Sequence, residues 1–191
     1  LLICLQVRQQ FHNKEIELFL AMPQPRHKLI LAYMLAYSFI SVLITVPTII
    51  LVVWKSDQSA VAVLVWALSL IAELILISLF ALAASLIIDG SVVAIFASMA
   101  FYIVSRIMGF VSSAIPMNFR LPGEGWVEYL IEMVVKLVSI FIPRLDLFAN
   151  TSWLIYGIDN DSNIWLVIGQ FFIYLLLLWA ITATDFNRKQ F

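Results

Sequence analysis

Hydrophobic residues along this chain run in four long stretches, which single polar residues interrupt and short polar turns separate. The stretches cover residues 29–54, 60–88, 91–115 and 164–184. Each stretch is long enough for the about 20 helical residues that cross a hydrocarbon core. The pattern therefore predicts an all-α, polytopic membrane protein with four membrane-spanning helices.

A mixed region, residues 116–163, separates the third stretch from the fourth and is predicted to be an extracytoplasmic loop. Within it, residues 127–142 are mostly apolar, with charged residues at helical spacing, and Pro143 follows. A helix of that length measures about 24 Å, less than the about 30 Å of a hydrocarbon core, so it is predicted to be re-entrant. Its charged stripe is expected to rim an outer vestibule or simply to face water; its members are Glu128, Glu132 and Lys136.

Basic residues mark the two ends of the chain. Four of them precede the first stretch and two follow the last, whereas Lys55 alone marks the first loop. The positive-inside rule then places both termini in the cytoplasm, and four crossings return the chain to the side on which it started. We expect an integral protein of a bacterial inner membrane, with residues 185–191 as a cytoplasmic tail.

The composition agrees with a bilayer environment and excludes several functional classes. Hydrophobic residues make up 63% of the chain and charged residues 12%, with a mean hydropathy of +1.03. Soluble domains are about 45–50% apolar and about 25% charged. A net charge of −1 and the lack of a basic patch argue against nucleic acid, and Cys4, the single cysteine, excludes an internal disulfide. No P-loop, GxSxG or HExxH motif occurs, so no cofactor, metal or catalytic residue is assigned to this chain.

Two charged residues lie deep inside the predicted spans. Glu73 precedes the tight turn at Asp89-Gly90 by about 16 residues, and Arg106 follows it by about 16. In an antiparallel helical hairpin this spacing places both at about 24 Å from the turn. Because charges in a bilayer are usually paired, Glu73 and Arg106 are predicted to form an ion pair, either to stabilise the fold or to line or gate a transport path.

The segment before the first span, residues 13–28, is charged and amphipathic. Ile16, Phe19 and Leu20 form one apolar helical stripe, and Pro23 and Pro25 end the pattern. Such a helix can lie in the headgroup layer or insert into a groove on a cytoplasmic partner. Residues 1–12 are interpreted as the end of a preceding span and a link.

The pattern KEIELFLAMPQPRHKLILAYML resembles the coupling segment of ABC type-2 exporter permeases. The motif of that family is an acidic residue before leucines, then a proline and an arginine before a long span. The order of three spans, a re-entrant region, a last span and the tail DFNRKQF is also similar to this family. The matching motif positions are Glu15, Glu17, Leu18, Leu20, Pro23 and Arg26.

The resemblance implies a permease-like helical bundle that has no catalytic activity of its own. Two copies of a separate ABC ATP-binding subunit would bind ATP and Mg, and a second permease copy or a homologue would complete the path in the lipid bilayer. The coupling helix would contact the ATP-binding subunit through Lys14, Glu15, Glu17, Leu18, Phe19, Met22, Pro23 and Arg26. Two alternatives remain open: a structural or assembly subunit of a membrane complex, and an intramembrane enzyme that uses Glu73.

Overall fold

The computed structural model describes residues 2–12, 26–56, 59–88, 90–118, 126, 133, 142–157 and 164–188. All regular secondary structure in those residues is helical. The elements are α1 (Leu2–His12), α2 (Arg26–Lys55), α3 (Ala60–Ile87), α4 (Ser91–Asn118), a 3₁₀ turn (Leu145–Leu147), α5 (Ser152–Ile155) and α6 (Ile164–Arg188).

Among the described residues, four helices are long and apolar enough to cross a membrane, which confirms the predicted all-α architecture and its four candidate spans. The qualifying stretches are Lys28–Lys55, Ala60–Ile87, Ser91–Gly109 and Ile164–Asp185. They belong to α2, α3, α4 and α6, in the order that the hydrophobic pattern predicts. The chain is thus compatible with an integral membrane protein.

Two helices extend further than the apolar pattern predicts. Helix α2 begins at Arg26, so the basic cluster assigned to the end of the coupling segment belongs to the first turn of the long helix. Helix α4 runs on to Asn118 and includes Pro116 in its last turn. A proline so close to the end of a helix removes only one backbone hydrogen bond, so the helix can include it. The loop-like composition that begins at Pro116 therefore does not mark the end of α4.

Helix α3 lies at the centre of the bundle and packs against α1, α2, α4, α5 and α6. Apart from Glu73 and a few serines it is apolar on all sides, as expected of a helix that is surrounded by others. Small side chains allow the neighbouring backbones to approach closely. Its buried small residues are Ala62, Ala67, Ser69, Ser78, Ala81, Ala83, Ala84 and Ser85.

The buried serines of α3 satisfy their hydroxyl groups within the helix. Ser69, Ser78 and Ser85 each donate to the backbone carbonyl three residues earlier, at 2.7–2.8 Å. A hydroxyl bonded in this way adds no unpaired polar group to an apolar interior. Serine can therefore serve as a small packing residue here without a partner on a neighbouring helix.

Helix α1 packs near the end of the bundle where α3 turns into α4. Its Cys4 is fully buried, donates to the carbonyl oxygen of Ala81 at 3.5 Å and lies 3.7 Å from the hydroxyl of Ser98. Large apolar side chains on the outer faces of α2 and α6 are instead exposed, among them Phe39, Leu43 and Phe172. These outer faces suit contact with lipid.

Candidate functional site: the Glu73–Arg106 pair and the docked segment

The structure brings Glu73 and Arg106 together near the middle of two adjacent helices. Arg106 Nη1 lies 2.9 Å from Glu73 Oε1, and the Glu73 side chain is 6% exposed whereas that of Arg106 is 41% exposed. Glu73 lies about 20 Å from either end of α3, and Arg106 about 22 Å and 18 Å from the ends of α4. The prediction that equal depth brings Glu73 and Arg106 into an ion pair is therefore confirmed.

The same guanidinium nitrogen also holds a stretch of irregular backbone, which the sequence did not reveal. Residues 142–157, hereafter the docked segment, contain the 3₁₀ turn and α5. Arg106 Nη1 donates to the carbonyl oxygen of Leu145 at 2.9 Å and lies 3.4 Å from that of Phe148. Three acceptors thus surround one nitrogen, which links α3, α4 and the docked segment.

A second polar tether joins the docked segment to α3 one helical turn away. The backbone N–H of Ala149 donates to the hydroxyl of Ser69 at 3.0 Å, and that hydroxyl donates onward to the Trp66 carbonyl at 2.8 Å. Apolar anchors accompany these bonds, because Leu145 and Phe148 are fully buried and Trp153 is 7% exposed. The segment is therefore fixed by packing and by hydrogen bonds.

Ala149 adopts a left-handed backbone conformation, with φ of 47°. This conformation strains an L-residue by about 1–3 kcal/mol, whereas glycine adopts it freely. We expect Ala149→Gly to raise the free energy of unfolding by about 0.5–1 kcal/mol, since the relief exceeds the added entropy of the unfolded chain. Ala149→Val should lower it by at least about 1 kcal/mol, because a β-branched residue fits poorly there.

The matched control for that prediction is Ala180→Gly, at an exposed position inside α6. There the same substitution should lower the free energy of unfolding by about 1 kcal/mol. Detergent-denaturation curves of the full-length variants, read by circular dichroism, measure all three. If both glycine variants changed the free energy of unfolding in the same direction, the assignment of strain to Ala149 would be contradicted.

Asp146 approaches α4 closely enough to require a glycine. A methyl group on Gly109 would overlap the Asp146 carboxylate, and Arg144 Nη2 pairs with that carboxylate at 3.1 Å. Among the residues that the structure describes, three buried polar atoms in this neighbourhood have no hydrogen-bond partner: Ser105 Oγ, Arg144 Nε and Asp146 Oδ1. Because buried polar atoms usually have hydrogen-bond partners, this neighbourhood is polar enough to hold ordered water.

The docked segment also corrects how its aromatic residues were interpreted. The sequence predicts a belt of aromatic residues at the outer membrane interface, made of Trp126, Tyr129, Trp153, Tyr156 and Trp165. Tyr156 and Trp165 are indeed 80% and 84% exposed, but Trp153 packs in the core against α3. Spaced apolar residues after Pro143, namely Leu145, Leu147, Phe148 and Trp153, were the available signal.

The other predicted site residues lie outside the part of the chain that the structure describes. This holds for the coupling positions from Lys14 to Pro23 and for the vestibule positions Glu128, Glu132 and Lys136. Of the coupling residues, only Arg26 is described, at the start of α2. Within the described residues, no group of three His, Cys, Asp or Glu side chains is arranged to hold a metal ion.

Comparison with protein families, with curated proteins and with solved structures finds no match to this chain. The resemblance of residues 13–26 to exporter coupling segments therefore stays a prediction.

Proposed function

We propose that this chain is the transmembrane permease subunit of an ATP-driven ABC exporter, supplying the path while a separate subunit binds ATP and Mg. The observation that carries the proposal is the docked segment, whose irregular backbone reaches the middle of α3 and α4. Non-helical backbone at such a depth is tolerated only inside protein or beside a water-filled cavity, and intramembrane charges commonly mark transport pathways.

The packing offers a route by which force on the coupling segment would reach this site. Helix α2 follows the coupling segment and packs along α3. Ser41 Oγ on α2 lies 3.5 Å from the carbonyl oxygen of Leu74, the residue next to Glu73. Closure of two ATP-binding subunits would push on residues 14–22, tilt α2 as a lever and shift α3 together with its half of the ion pair.

A structural or assembly subunit is the second candidate, and the packing of α3 favours it. Helix α3 is enclosed by five other elements, as in a scaffold that only needs to be stable. An intramembrane enzyme that uses Glu73 is a third candidate. If it were correct, the Glu73→Gln variant should remain folded but lose its catalytic activity.

Association with an ATPase decides between the first two candidates. An exporter subunit should co-purify with a P-loop ATPase, and Leu18→Asp or Phe19→Asp should weaken that association by at least about 100-fold, because an unpaired charge would enter an apolar contact. Gln58→Asp, which lies between α2 and α3 in the sequence, is the matched control and should leave association unchanged. The measurement is the ATPase activity that co-purifies with tagged full-length protein from native membranes.

Two results would contradict the exporter. One is an assembled complex that contains no P-loop ATPase. The other is an associated ATPase whose binding and activity ignore Leu18 and Phe19 but respond to Gln58→Asp.

A further inference from the structure

Arg106 uses one nitrogen for all of its described hydrogen bonds. Nη1 binds the Glu73 carboxylate and the carbonyl oxygens of Leu145 and Phe148. Nε and Nη2 have no acceptor among the residues that the structure describes, and the side chain is 41% exposed. As far as the described residues go, the Nε–Nη2 edge of the guanidinium group is therefore unoccupied and can bind a further group.

Arg106 stands at the border of an exposed apolar face of α4. Met99, Tyr102, Ile103 and Ile107 are each between 38% and 51% exposed and share the helical face or its border with Arg106. The face extends about 15 Å along the helix from Phe96 to Arg106. It combines a long hydrocarbon surface with a single group that donates hydrogen bonds.

A face that combines apolar side chains with one guanidinium group suits neither contact with acyl chains alone nor contact with water alone. A guanidinium edge turned towards acyl chains is expensive, and arginines in spans almost always face protein or a water-filled cavity. The planar Nε–Nη2 edge matches the two oxygens of a carboxylate or phosphate. Because Glu73 balances the formal charge, recognition would depend on the geometry of the fork, while the apolar face supplies the contact area.

We propose that the Nε–Nη2 edge of Arg106 binds the anionic headgroup of an amphipathic substrate, whose hydrocarbon tail packs along α4 from Ile103 towards Phe96. The substrate class is thus a carboxylate- or phosphate-bearing amphiphile, and this face of α4 lines the path. That the bound amphiphile is a transported substrate rests on the proposed function. The binding site itself requires no ATPase.

Binding is tested with the full-length chain in neutral detergent, without ATP or an ATPase, using dodecyl phosphate as the probe. The unfolding temperature should rise with probe concentration and saturate, as expected for a ligand that binds only the folded state. Inorganic phosphate alone and a neutral dodecyl glycoside should each bind with an apparent affinity at least about tenfold lower than that of dodecyl phosphate.

Two substitutions test the residue assignment. Arg106→Gln should abolish the saturable response, whereas Arg144→Gln, which also removes a half-exposed arginine, should keep it. Ile103→Glu leaves the ion pair in place and puts a carboxylate three residues before Arg106, where it can occupy the free edge. It should lower the affinity for dodecyl phosphate at least about tenfold. Ile103→Gln, the uncharged control, should not.

Each alternative result overturns the proposal in a recognisable way. An equal response to the neutral glycoside would show an apolar surface without anion recognition. Equal affinity for inorganic phosphate would show a free-anion site, and a saturable response unchanged by Ile103→Glu would place the anion elsewhere. Failure of the ATPase association test leaves this binding assay unaffected, so the two proposals can fail separately.

Discussion

Replacing Arg106 by Met is expected to lower the free energy of unfolding by about 3–5 kcal/mol, the usual result of leaving a buried charge without its partner. The reason lies with Glu73, whose carboxylate is 6% exposed and would lose its counter-charge. The carbonyl oxygens of Leu145 and Phe148 would also lose their donor. Denaturation in mixed micelles, followed by circular dichroism on the full-length chain, measures the change.

Arg144→Met provides the matched control for that variant. The Arg144–Asp146 pair also has a short contact, 3.1 Å, but its side chains are 32% and 24% exposed. Pairs at the surface contribute about 0–1 kcal/mol, and this pair is closer to solvent than the Glu73 carboxylate, so the control should lose clearly less than Arg106→Met. The double variant Glu73→Leu/Arg106→Met should recover much of the loss, because no buried charge is left unpaired. Equal losses for Arg106→Met and Arg144→Met would contradict the central role of the Glu73–Arg106 pair.

Truncating Phe148 to Ala is expected to release the docked segment from α3 and α4. Phe148 is fully buried, and a cavity of that size costs about 3–5 kcal/mol when its surroundings cannot collapse. Because the segment has few polar tethers, local opening should precede global unfolding. Hydrogen exchange of peptides that cover residues 142–157 should therefore accelerate more than exchange in α3.

Tyr156→Ala is the control for the loss of an aromatic ring. Tyr156 belongs to the same segment but is 80% exposed, so its truncation should change stability by no more than about 0.5 kcal/mol. If both variants lost equal stability, or if Phe148→Ala left the exchange of residues 142–157 unchanged, the segment would not be anchored as the structure shows.

The two largest effects concern one junction. Arg106 connects the charge on α3 to the backbone of the docked segment, and Phe148 contributes both an apolar anchor and one of the carbonyl oxygens near Arg106. Loss of either side chain should loosen the other contact. In the proposed exporter, this junction is the point at which movement of α2 and α3 would reach the path.

Some of the site could be predicted because its geometry follows from helical rise alone. Glu73 and Arg106 flank a tight turn at equal spacing, so two antiparallel helices bring them to one depth whatever else surrounds them. The contacts of Leu145, Phe148 and Ala149 could not be predicted in this way. They depend on how residues 142–157 fold back, and a few spaced apolar residues do not specify a direction.

Sequence alone determined that the chain is all-α, that four helices have the length and composition of membrane spans, and that two charges in the middle of these helices meet. These features are local, because apolar length and a rise of about 1.5 Å per residue suffice to derive them. Only the tertiary structure decided that α3 is the central helix, that Trp153 is buried and that an irregular segment shares the arginine. Such features depend on which small surfaces fit together, and apolar helices with similar compositions carry no local signal for that choice.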